Sequence, residues 1–233
     1  MDGGLDMAQT TATRPDVQEM VIVHRMFRRE YRLAPVLVRG VAAGDRPRAA
    51  VVAAHLRELT VMLHHHHQGE DDLVWPRLTA RTPLSAELVH RMQRQHEEVG
   101  ELLARLDELL PSWAADPGTA QRESLAATLD ALAPALEAHL DEEEREILPL
   151  VEQHLTAAEW DELGERAVAA IPKARLLVLL GYLLEEVSPS ERQTMLGVLP
   201  PPVRLIYRAV GQRKHVKERD RIRAGTLPTQ RRA

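Results

Sequence analysis

Six side chains with metal-binding chemistry recur at helical spacing in this chain of 233 residues: His24, His66, Glu70, His96, His139 and Glu143. Part of the pattern is duplicated. His66 is followed four residues later by Glu70 and six after that by Pro76, and His139 is followed by Glu143 and Pro149 at the same steps. Residues four apart share a helix face, so each pair aims an imidazole and a carboxylate at a common point. Both pairs fall on apolar stripes, where a carboxylate is costly to bury unless it is paired, protonated or bound to metal. Two such carboxylates facing one another would repel, which calls for a positive charge between them. His24 and His96 lie on the stripes of two further segments and complete a set of four imidazoles and two carboxylates. That set suits iron, manganese or zinc, whereas calcium and magnesium prefer oxygen alone.

The elements that must carry these residues are helices. Ala, Leu, Glu and Arg dominate, Ile, Phe and Tyr are sparse, and no run alternates with period two, so the fold class is all-α. Segment A spans about 16–43 and bends near Pro35, with Met20, His24, Phe27 and Tyr31 on one face. Segment B spans about 47–79, with Leu59, Leu63, His66, Glu70 and Leu73 on its stripe. Segment C spans about 85–110 and carries Met92, His96, Val99, Leu103 and Leu106, with Ser85 as its N-cap. Segment D spans about 118–154 and carries Leu132, Leu136, His139, Glu143 and Ile147, with a kink expected at Pro134. Pro47, Pro83, Pro111 and Pro117 mark short connections, which make neighbouring helices antiparallel. The expected architecture is an up-down-up-down four-helix bundle with additional short C-terminal helices. Its divisions are a disordered N-terminus (1–15), the bundle (16–160), a helical extension (161–212) that caps the bundle or builds a homodimer interface, and a basic tail (213–233) read as a frayed helix passing into disorder.

Composition narrows the function classes. The chain has no cysteine, so disulfides, thiolate metal sites and sulfur-ligated clusters are excluded. A formal net charge of -5 argues against nucleic acid as a partner. The longest apolar run, Leu176 to Leu184, is nine residues, where a membrane-spanning helix needs roughly 20. The opening MDGGLDMAQTTATRPD has neither a basic nor an apolar signal region, so the expected location is the cytoplasm, with no membrane partner.

The motifs combine into a recognisable set. One histidine on segment A, His66, His67, Glu70, Asp71, Trp75 and Pro76 on B, Gln95 to Glu98 on C, and HLDEEEREILP from His139 to Pro149 on D together resemble the hemerythrin-like (HHE cation-binding) family over about 16–160. The resemblance implies a centre of two iron ions, with His24 and His66 on one, His96 and His139 on the other, and Glu70 and Glu143 bridging. Gly100 stands where oxygen-carrying hemerythrins have a further histidine, and their last carboxylate has a spacing that selects Glu144 here. Glu143 is preferred because it repeats the spacing of segment B. With two histidines per metal, both ions keep an exchangeable position. That favours binding of oxygen, nitric oxide or peroxide, with peroxide disproportionation, metal oxidation, and iron storage or sensing as alternatives. No nucleotide or flavin motif is present, so turnover that needs electrons calls for an external donor.

The remaining histidines have plainer readings. Helical residues turn by about 100° per step, so of the run His64 to His67 only His66 is expected to point with Glu70, leaving His64, His65 and His67 as supporting or surface groups. His55, His90, His154 and His215 read as ordinary histidines. Glu30 and Tyr31 lie near the face of His24 and within possible reach of the centre, with packing the expected role of Tyr31.

Overall fold

The computed structural model describes residues 14–224, all helix and connecting turns. Four long antiparallel helices form the bundle: α1 (Gln18–Arg39), α2 (Arg46–Leu73), α4 (Ala86–Ala115) and α5 (Thr119–Glu142). Short helices α3 (Trp75–Arg81) and α6 (Leu148–His154) prolong the second and fourth, the latter through a π-turn at Glu143–Ile147. Side-chain pairs show the direction. Going up α1, Arg28 reaches Asp141 and Arg39 reaches Asp130, so α5 runs downward beside it.

Proline placement differs from the sequence reading in an instructive way. Pro35 and Pro111 lie inside continuous helices α1 and α4, and Pro134 lies inside α5. The duplicated prolines coincide with interruptions of the α-helical pattern. Pro76 follows the break between α2 and α3, and Pro149 follows the π-turn. A proline removes a helical N–H and crowds the carbonyl four residues back, so the helix is interrupted just before it. One interruption falls between Glu70 and Pro76, and the other begins at Glu143 and ends two residues before Pro149. Ser85 precedes α4 but does not cap it; its hydroxyl donates to the Thr82 carbonyl at 2.8 Å.

The remaining helices are α7 (Ala157–Ala170), α8 (Leu176–Leu183), α9 (Pro189–Gly197), α10 (Pro201–Ile206) and α11 (Gln212–Arg223). Helices α7 and α9 begin with reciprocal capping boxes, Thr156 with Glu159 and Ser188 with Glu191. Helix α7 packs on α2 beside Gly69, where a Cβ would stand 2.7 Å from Leu163. Val178, Leu179 and Tyr182 of α8 and Ile222 of α11 join the main apolar core, so the extension covers the α1–α2 side of the bundle. The frayed helix expected at the start of the basic tail is a docked helix as far as Arg223. Helix α11 is held by Arg48, which donates to the carbonyls of Arg221 and Ile222, and by Arg223, which pairs with Glu30 and Glu185. Residues 1–13 and 225–233, most of the expected disordered N-terminus and the end of the tail, lie outside the described residues. None of the described helices is long and apolar enough to cross a membrane.

The core is divided. One apolar cluster contains Met26, Phe27, Leu63, Val99, Leu136 and Leu140, and a second contains Met20, Trp75, Met92 and Ile147. On all four long helices the chain passes from one cluster to the other through the site residues. The site is therefore a polar layer clamped between two dry ones.

Candidate metal centre

All six side chains read from the sequence meet in this layer. The ligand atoms of His24, His66, Glu70 and Glu143 lie within 4.8 Å of one another. A second group under the same limit consists of His67, His96 and His139. The two groups are joined by the carboxylates. Glu70 Oε1 lies 3.2 Å from His66 Nε2, while its Oε2 lies 3.4 Å from His96 Nε2. Glu143 Oε2 lies 3.4 Å from His24 Nε2 and 3.7 Å from His139 Nε2. Each carboxylate thus faces one imidazole of each group.

His67 corrects the sequence reading, which left it among supporting or surface groups. It is buried, its Nε2 has no hydrogen-bond partner, and its ring stacks on His96 with centroids 4.1 Å apart. The reason is helical geometry. Residues three and four apart straddle a common direction, so His66 and His67 flank Glu70 on its two sides. His66 meets His24 of α1, and His67 meets His96 of α4 and His139 of α5. The fifth imidazole that Gly100 does not supply comes from α2. The doublet of histidines before Glu70 was the available signal. His64 and His65 are exposed.

Three histidines are braced from behind. His24 Nδ1 lies 2.9 Å from Glu144 Oε1, which also accepts from Arg28 at 2.6 Å. His96 Nδ1 lies 2.9 Å from Asp71 Oδ1. His139 Nδ1 lies 3.1 Å from Gln95 Oε1, whose amide nitrogen donates to Glu142 at 2.8 Å. An ionised carboxylate can only accept, so the Nδ1 atoms of His24 and His96 carry protons; the Gln95 amide is oriented to the same effect for His139. Each Nε2 then faces inward with its lone pair when a cation is bound. Glu144 is accordingly the partner of His24, and Glu143 is the carboxylate turned into the layer. Glu30 turns away from the centre towards His55, and Tyr31 packs against Phe27.

The protein alone does not satisfy this cluster. Both oxygens of Glu70 and Oε2 of Glu143 are buried with no hydrogen-bond partner. Burial pushes both carboxyls above their ordinary range, and Glu70 raises Glu143 further. Burial also drives His66, His67 and His139 well below the usual imidazole value, aided by neighbouring histidines. His96 goes the other way: burial lowers it, but Asp71 and Glu70 more than offset that and raise it to about 9. The cluster has donor atoms of one polarity turned inward and charge of the other sign missing, which is what a bound cation supplies.

Comparison with known proteins decides the family. The hemerythrin HHE cation-binding domain matches residues 16–151. The chain belongs to this family. The HHE domain covers the bundle from the start of α1 into α6, with every site residue inside it. The chain is also similar to the zinc finger protein BRUTUS of Arabidopsis thaliana, 25% identical over 172 residues. That match covers 72% of this chain and 13% of the plant protein. Uncharacterized proteins of Mycobacterium tuberculosis and Mycobacterium bovis are each 32% identical over 120 residues, which is 51% of this chain and 66% of theirs. No solved structure matches. As a member of the HHE family the chain is a cation-binding protein, and the layer between the two apolar clusters is where its His and Glu donors converge.

Proposed function

We propose that the HHE layer holds two iron ions and that the protein binds oxygen, nitric oxide or peroxide there. The observation that carries this reading is the pair of buried carboxylates, each facing one imidazole of both groups, with both oxygens of Glu70 and Oε2 of Glu143 making no hydrogen bond within the protein. His24 and His66 would hold one ion, and His67, His96 and His139 the other, with Glu70 and Glu143 shared between them. Seven donors of this kind suit iron, with manganese or zinc as competitors for the same atoms. Two adjacent iron ions supply, when bound, exchangeable positions and reversible one-electron chemistry for a diatomic or peroxide ligand.

The chain's own residues set the rest. The group with two histidines offers fewer donors than the group with three, so the small ligand is expected on the side of His24 and His66. Phe27 lies against His66 with ring centroids 5.4 Å apart, and apolar clusters close the layer on either face. Those walls exclude bulk water and limit entry to small ligands. Glu144, Asp71 and Gln95 keep the proton of each braced imidazole on the outer nitrogen, away from the ligand.

The test is spectroscopic titration of iron-loaded protein. Ferrous protein should change its spectrum on adding oxygen or nitric oxide, and ferric protein on adding peroxide, with His66→Ala abolishing each response. Rapid release of oxygen from peroxide would move the reading to disproportionation. Iron-loaded protein that responds to none of the three would overturn it.

A further inference from the structure

The cations of this chain fall into two populations. On α1, Arg25, Arg28, Arg32 and Arg39 each meet a carboxylate of a facing element: Glu191, Asp141, Glu137 and Asp130 in turn. The C-terminal end differs. Helix α10, the π-turn Tyr207–Gly211 and the start of α11 form one continuous rod, in which residues 201–217 hold five cations and no carboxylate. Arg204, Arg208, Arg213, Lys214 and Lys217 make no ion pair among the described residues.

Exposed apolar side chains gather in the same place. Of the nine large apolar side chains that stand exposed among the described residues, Val198, Leu205, Ile206, Val210 and Val216 lie on this rod or at its entrance. Single exposed aliphatics are ordinary, but more than half of them within one short segment make a patch. The orientation is fixed from beneath. Tyr207, Gly211, His215 and Ile222 are the buried residues of the rod, which lies so close on α8 that nothing larger than the hydrogen of Gly181 fits beside the His215 ring. The other face, aliphatic and basic together, is thereby turned outward.

We propose that this face seats the protein on an anionic phospholipid surface. Leu205, Ile206 and Val210 enter the boundary between headgroups and acyl chains, and the flanking cations meet lipid phosphates. The chemistry selects this occupant over others. A second copy would bring its own unpaired cations against these and be repelled. Nucleic acid would engage the cations but leave the aliphatic side chains idle, since they offer no ring on which a base stacks. Protein partners are anchored chiefly by Trp, Tyr and Arg in pockets, and Leu and Val are poor anchors. A lipid surface uses both halves of the pattern at once: the aliphatic groups leave water, and each Lys or Arg gains from the negative surface potential. The expectation of no membrane partner concerned spanning runs and signals alone. A helix lying along the membrane needs no spanning length, and none of the described helices has one. The seat contains no residue of the metal layer, so it stands apart from the iron reading.

The experiment sediments the full chain, as purified, with vesicles of equal parts phosphatidylglycerol and phosphatidylcholine, and with vesicles of phosphatidylcholine alone. The wild type should pellet with the first, about tenfold less with the second, and be released as salt is raised. Leu205→Ser with Ile206→Ser, and separately Arg208→Gln with Arg213→Gln and Lys214→Gln, should each lower the bound fraction about tenfold. Leu84→Ser, at an equally exposed apolar side chain on another element, should pellet like the wild type. Failure of the wild type to pellet with the anionic vesicles overturns the proposal. So does pelleting that the serine pair leaves unchanged, which is plain charge adsorption of a kind that DNA would share. A wild type that ignores the vesicles and migrates as a dimer assigns the face to a second copy and overturns it as well. Should the serine pair fail to fold, a second reading decides. The chain has no cysteine, so Ile206→Cys accepts an environment-sensitive dye at one position only. Its emission should shift to the blue on anionic vesicles, while the same dye on Leu84→Cys stays unshifted. No shift at position 206 overturns the seat.

Discussion

Two polar clusters draw on helices α1 and α2, one around the buried Glu30 and one around Glu70 and Glu143, and they are built on opposite principles. Glu30, six residues along α1 from His24, accepts from Arg29 at 2.7 Å and Arg223 at 2.7 Å, and its other oxygen lies 3.1 Å from His55. Burial alone would raise this carboxyl, but those partners hold it down at about 2. Glu70 and Glu143 are as deeply buried, yet no arginine reaches them and burial drives them upward. A buried carboxylate supplied with donors is a structural tie, here fastening α11 to the bundle. One left without donors, among imidazoles, is a place for a cation. The same residue type thus serves stability in one cluster and binding in the other.

The largest effect expected from this contrast is on metal content. Glu70→Ala combined with Glu143→Ala should remove essentially all bound iron by elemental analysis, while the metal-free variant melts no lower than metal-free wild type. A large loss of metal-free stability would mean that these carboxylates are ties after all. Glu30→Ala should do the reverse. It removes one of the two carboxylates that Arg29 and Arg223 share and leaves both on Glu185, a change that costs about 1–3 kcal/mol, read as a lower urea midpoint with retained iron affinity in the folded protein.

The pH dependence separates the clusters next. Glu30 falls from an ordinary 4.5 to about 2 on folding, so its contribution is present above pH 4.5 and is lost as pH drops towards 2. That contribution is about 3 kcal/mol at neutral pH. The stability gap between wild type and Glu30→Gln in urea should shrink by this amount between neutral pH and the acid end of that window. A gap that stays constant would remove Glu30 from the account. The smallest effects belong to the braces. Asp71→Ala and Glu144→Ala should each weaken iron binding by about 10–100-fold in competition with a chelator, because the histidines lose the acceptors that fix their orientation. No change in either variant would mean that the helices alone aim the rings.

Much of the site was legible because it obeys helical periodicity. Duplicated His–Glu–Pro spacing and two stripe histidines located six side chains that converge in space. His67 was missed because one direction per helix was assumed, although positions three and four before Glu70 lie on either side of it. The π-turn after Glu143 was equally hidden, since its cause is a proline six residues on acting against the helical ladder. Helix α11 was read as a frayed helix running into disorder because its sequence, QRKHVKERDRIR, is nearly all polar. Only His215 and Ile222 are buried on it, and its docking comes from Arg223 and Arg48, a charge pairing across the fold that hydropathy does not register.

Diffraction from crystals of iron-loaded protein, recorded on both sides of the iron absorption edge, tests the central claim most directly. The account predicts two anomalous peaks in the layer, one beside His24 and His66 and the other beside His67, His96 and His139, with Glu70 and Glu143 reaching both. A single peak, or peaks outside the layer, would contradict it.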